Sequence, residues 1–150
     1  MVFGAREEHS FEVSVTIPTL DFYAVPVNPD FLEREQRMHW NLVRETLEPL
    51  TADFDVYSYT GYMAARLAQE PTLSNGKDNI DLKVVFNNFT LGLLSQVVNV
   101  KQGGPGSRVP MRIEAIVPPG GFRQGEYYGS VQIIFESLLP AEQSITSLPL

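Results

Sequence analysis

The side chains able to do acid, base or metal chemistry are few and poorly spaced for it. His9 and His39 are the only histidines and the chain has no cysteine, so neither histidine has a partner at zinc-ligand spacing. Disulfides, thiolate ligands and a cysteine nucleophile are excluded as well. No G-x-S-x-G setting for a serine nucleophile occurs. The run Gly103 to Ser107, GGPGS, lacks the Gly-Lys-Ser/Thr ending of a phosphate loop, and Gly76-Lys77 falls in a turn. Asn88-Phe89-Thr90 has the form of a glycosylation acceptor and reads here as a turn. What remains is aromatic. Trp40 with Tyr57, Tyr59 and Tyr62 could build a platform for the apolar face of a sugar, but Trp40 falls in phase with Met38 and Leu42, which favours core packing. The expectation is a protein that is not an enzyme, with no catalytic residue, no metal and no cofactor.

Bulk properties narrow the partners. With 150 residues and 43% hydrophobic side chains the chain can bury one core. A net charge of −7, with no cluster of lysine or arginine, argues against nucleic acid or an anionic membrane surface. No apolar run approaches the roughly 20 residues of a membrane-crossing helix. Met1 to Ala5 reads as a start scar or the end of a trimmed leader, and the latter would mean export.

The element on which the rest depends is Ser10 to Phe22, SFEVSVTIPTLDF, expected as one strand. Phe11, Val13, Val15 and Ile17 share one face, and Glu12, Ser14 and Thr16 the other. Burying four such apolar side chains contributes on the order of 6–12 kcal/mol, comparable to the stability of a small domain. The strand either closes its own sheet or is offered to another molecule.

Further along, Pro26 to Asp30 marks a loop, Phe31 to Met38 has helical composition without a clear apolar stripe, and Met38 to Val43 alternates as a strand. Glu45 to Asp53 reads as a polar connection, and Phe54 to Thr60 as a strand. Gly61 to Gln69 is compatible with a short helix, and its β surroundings favour a strand. Asn75-Gly76 predicts a hairpin turn. Ile80, Leu82, Val84 and Phe86 give the clearest internal strand, followed by an apolar segment over 89–100 and a loop over 101–107. Val109 to Val117 is expected as an edge strand because of Pro110. Gly125 to Ser137 is the last strand, with Tyr127, Gly129, Val131, Ile133 and Phe135 on one side. About seven strands joined by Gly, Pro and Asn turns predict an all-β antiparallel sandwich.

In order and spacing these strands resemble the major pilins of the alpha class of chaperone-usher fimbriae, the family of the coli surface antigen, colonization factor antigen and cable pilus subunits. The matching pieces are VSVTIPTLD at 13–21, MHWNLVRETLEPLTADFDVYSYT at 38–60, RLAQEPTLSNG at 66–76, IDLKVVFNNFTL at 80–91 and GEYYGSVQIIF at 125–135. The resemblance covers roughly residues 10–137. It implies an incomplete immunoglobulin-like antiparallel β-sandwich, missing its seventh strand and preceded by an N-terminal donor-strand extension. Residues 1–19 would be leader remnant and donor strand, 20–137 the sandwich and 138–150 a tail. Phe11, Val13, Val15 and Ile17 would be the donor residues that fill the groove of the next subunit. The implied partners are identical or related pilin subunits, a periplasmic chaperone, an outer-membrane usher and a host glycan or surface receptor. The implied location is the bacterial cell surface, reached through the periplasm. The tail, LLPAEQSITSLPL, departs from the family by running past the final strand, either to pack on the sandwich or to compete for the groove. Two rival functions stand beside the shaft subunit: an adhesive tip subunit, and a self-contained carbohydrate-binding sandwich.

Overall fold

Period-two alternation runs longest from Asn79 to Phe86, where Ile80, Leu82, Val84 and Phe86 are buried and Asn79, Asp81 and Lys83 are exposed. A strand so patterned needs a second layer over its dry face. A computed structural model describes residues 12–14, as backbone, and 21–139. Its elements in chain order are β1 (Glu12–Ser14), β2 (Phe22–Pro26), α1 (Asp30–Glu33), β3 (Trp40–Asn41), β4 (Thr46–Leu47), β5 (Leu50–Ser58), β6 (Tyr62–Leu67), β7 (Thr72–Ser74), β8 (Asn79–Phe86), β9 (Phe89–Thr90), β10 (Gln96–Val100), β11 (Ser107–Ala115) and β12 (Gln132–Ser137).

One sheet has the order β1-β12-β6-β10 and the other β2-β5-β11-β8-β7, with β9 beside β8. Every pairing is antiparallel except that of β1 with β12. The sheets face one another as a sandwich. Phe54 and Phe86 of the second sheet meet Phe135 of the first at centroid distances of 6.4 and 5.0 Å. The single turn of α1 adds Phe31, set edge-on to Phe54 at 6.3 Å.

Gly61 to Gln69 is largely strand, as its surroundings suggested: Met63, Ala64, Ala65 and Leu67 of β6 are all buried. Asn75-Gly76 does turn an antiparallel pair, β7 with β8. The Asn75 Oδ1 accepts hydrogen bonds from the backbone N–H groups of Lys77 and Asp78, and Gly76 takes the left-handed φ of 89° that this turn needs.

Other expectations are corrected. Ser10 to Phe22 is not one strand: Asp21 lies in a turn, and Phe22 opens β2 in the opposite sheet, where Phe22 and Ala24 make a buried face of their own. Met38 to Val43 is not a strand through Leu42 either. The Asn41 Oδ1 accepts from the N–H groups of Val43 and Arg44, folding a tight β3–β4 hairpin that leaves Leu42 and Val43 79% and 92% exposed. The supposed polar connection over 45–53 supplies β4 and the start of β5, since β11 offers a ladder from Ser107 to Ile113.

Strand β11 is central, not an edge, because β5 and β8 flank it. Pro110 is tolerated because β8 pairs only from Met111 onward, while at Pro110 the chain beyond β8 turns through Asn87 and Asn88, both at positive φ. The Pro110 carbonyl accepts the Asn87 N–H at 2.8 Å, so the missing donor falls at a turn and costs no ladder bond. The last strand is shorter than its alternation. Tyr127, Val131, Ile133 and Phe135 are buried as the pattern required, but Tyr128 bonds to Ser74 of β7, and the first sheet is joined only at Gln132. At Gly129 a Cβ would lie 2.2 Å from the Thr72 carbonyl oxygen, so only glycine lets the chain pass β7 on its way between sheets.

Candidate subunit interface at the edge of β12

Strand β12 carries the dry face nearest the C-terminal end of the sandwich. Ile133 and Phe135 are buried, Gln132 and Ile134 half-buried, and Glu136 exposed. One flank is sealed by β6, with Ile133 opposite Leu67 and Ser137 opposite Met63 in an antiparallel ladder. The other flank is met by β1. Glu12, Val13 and Ser14 stand opposite Gln132, Ile133 and Ile134, in a parallel sense. An edge of this kind, apolar toward the core and with ladder groups pointing outward, is a receptor for a strand. The occupant supplies both backbone hydrogen bonds and core side chains.

Of the four residues expected to fill such an edge, Val13 has a described position, opposite the buried Ile133. Phe11, Val15 and Ile17 lie outside the described residues, as does His9. The tail from 140 onward does too. Nothing in the sequence signalled the parallel sense of the pairing, which depends on where the chain leaves the sheet.

The aromatic candidates are not gathered into one platform. Trp40 pairs with Leu47 just before β5 begins and sets its ring edge-on to Phe122 at 5.5 Å, against the core. Tyr57 lies toward the other end of β5, roughly 20 Å along the strand, where its ring stacks on Tyr23 at 5.8 Å. Tyr59 is 60% exposed. The Tyr62 hydroxyl accepts a hydrogen bond from the Gln102 Nε2 at 3.2 Å.

One charged pair ties two strands together. Arg108 grips Asp55 through two bonds of 2.9 and 3.3 Å across β11 and β5. That hydrogen bond, outweighing slight desolvation, holds the Asp55 carboxyl below the ordinary carboxylate value. Tyr127 is pushed the other way by burial and then by Asp78; its hydroxyl donates to the Arg123 carbonyl at 2.8 Å. Among the described residues no three of His, Cys, Asp and Glu converge as a metal site would require. His39 contributes its backbone carbonyl to the Glu48 N–H in the β3–β4 hairpin.

Compared with known families, the chain matches the model of the CS1 type fimbrial major subunit over residues 7–136. Comparison with the curated proteins found no match. Among solved structures, the chain is similar to the CooA pilin subunit from enterotoxigenic Escherichia coli, with 14% identity over 69% of this chain and 88% of that one, and a TM-score of 0.49.

Proposed function

The chain belongs to the CS1 type fimbrial major subunit family, and from that premise we propose that it polymerises by donor-strand exchange, the N-terminal strand of one copy completing the β12 edge of the next. It is a structural subunit of a fimbria, a protein of the cell surface that associates with other pilin subunits. In the proposed route it crosses the periplasm under a chaperone that covers the same edge, and an outer-membrane usher hands it to the growing fibre. The assembled fimbria serves surface adhesion or biofilm formation.

One observation carries the reading. The strand expected to be donated has its described residues on the outer edge of β12, with Val13 at the level of buried Ile133. A sequence segment able to fill this edge is therefore present in every copy. Phe11, Val15 and Ile17 continue the same period and are the remaining donor residues of the proposal. The separation of Trp40 from Tyr57 and Tyr59 gives the sugar-binding rival no support.

The test removes the strand and returns it. A chain beginning at Leu20 is expected to melt at lower temperature than the full chain and to regain stability when a peptide covering 8–19 is added, in proportion to its concentration. If the peptide neither binds nor raises the melting temperature, strand complementation is wrong.

A further inference from the structure

We propose that the free subunit is held closed by its own N-terminal strand, inserted parallel to β12, and that this strand must leave before the same edge can take one from a second copy. The cap itself is independent of the donor-strand reading; its blocking role rests on that reading.

The sense of the pairing follows from the tether. Ser137 stands opposite Met63 at the start of β6, and the Leu138 N–H donates to the Tyr62 carbonyl at 3.3 Å, so β12 ends where β6 begins. Strand β6 begins shortly after Ser58, the end of β5, and Ser58 stands opposite Phe22. The end of β12 and the start of β2 therefore share one end of the sandwich. Running parallel to β12, β1 heads toward that end.

From Ser14 to Phe22 the chain spans eight residue steps, a reach of at most about 28 Å. Ser14 is opposite Ile134, three positions short of Ser137; reaching β2 means covering about 10 Å along the strand and about 10 Å across to the other sheet. Eight steps are long enough for that distance, with length to spare for a turn. An antiparallel insertion over the same residues would bring the strand out at the far end of β12. With Ser14 then opposite Gln132, the way back to Phe22 is about 16 Å along and about 10 Å across, nearly the whole reach, with little left for turning. A strand arriving from a second copy has no such tether. The parallel sense is thus the one that suits self-insertion, and a subunit in this state occupies the edge that a neighbour would use.

The protein has no cysteine, so an introduced pair reads the register without background. Glu12→Cys with Gln132→Cys places two sulfurs on directly opposed residues of neighbouring strands, about 4.8 Å apart at Cα, within disulfide range. Glu12→Cys with Ser137→Cys is the control, five positions along and roughly 16 Å away. Ser14→Cys with Ile134→Cys repeats the first design at a second site should the first pair fold poorly. In dilute, full-length monomer the opposed pairs are expected to form an intrachain disulfide by mass, and the control pair to form none. The locked monomer is expected to make no polymer until a reductant is added. An intrachain link in the control with none in the opposed pairs overturns the cap, and a locked monomer that polymerises like the reduced one overturns its blocking role. If the opposed pairs link and the reduced protein still never polymerises, the cap stands and the donor-strand reading falls instead.

Discussion

The two flanks of β12 are built differently. Toward β6 the ladder is antiparallel, covers Ile133 to Ser137 and joins strands that both lie within the sandwich. Toward β1 it is parallel, covers Gln132 to Ile134 in the described residues and joins a strand from the other extremity of the chain. Parallel pairing is slightly weaker per residue, and the described ladder is shorter, three residues against five. On the donor-strand proposal the inner flank belongs to the permanent fold and the outer flank is the one exchanged, which is what a subunit must have if its neighbour is to supply a strand without unfolding it.

The comparison can be broken most severely from the inner side. Phe135→Ala removes a ring that meets Phe54 and Phe86 between the sheets, a loss of about 3–5 kcal/mol. Chemical denaturation should show a lower midpoint for the whole domain, with or without residues 1–19. If the loss disappears once those residues are deleted, Phe135 serves the outer flank and not the core.

From the outer side the effect should be selective. Val13→Asp sets a carboxylate opposite buried Ile133, at a cost of several kcal/mol to strand insertion. Fibres should be absent by electron microscopy, while global unfolding shifts less than for Phe135→Ala. The mutant should still take up a wild-type 8–19 peptide, because its groove is intact. Wild-type-like fibres from this mutant would remove Val13 from the donor face.

The smallest effect tests a region remote from both flanks. Asp55 has its carboxyl held below the ordinary carboxylate value by Arg108 on the outer face of the second sheet. A depressed folded value means stability that is present above the ordinary carboxylate value and is lost as pH falls through the lower folded one. Arg108→Gln should flatten the fall in melting temperature as pH drops through and below the ordinary carboxylate range, and leave melting at neutral pH nearly unchanged, since the pair is exposed. An equal loss at neutral pH would show that Arg108 acts by packing.

Much of the sandwich was legible because strand faces are local. Ile80 to Phe86 and Val131 to Phe135 declare their buried sides by alternation alone, and Asn75-Gly76 declares its turn by backbone chemistry. The reading failed where a side chain redirected the backbone or a partner strand overrode composition. Asn41 turned a promising strand at Leu42 into a hairpin tip, and β11 drew the polar stretch before Phe54 into a ladder. Pro110 misled because the rule for proline concerns the neighbour on its N–H side, and that neighbour turns away at Asn87.

The candidate interface divides along the same line. Sequence alone determined the apolar face of the last strand, Val131 to Phe135, and set out the same period over Phe11 to Ile17, since such a face follows from a two-residue period fixed by covalent geometry. Only the tertiary structure decided that β1 and β12 are neighbours, that they run parallel, and that Val13 stands level with Ile133. Those facts depend on which end of the sandwich receives β2 and how far the intervening chain can reach, and no local pattern encodes either.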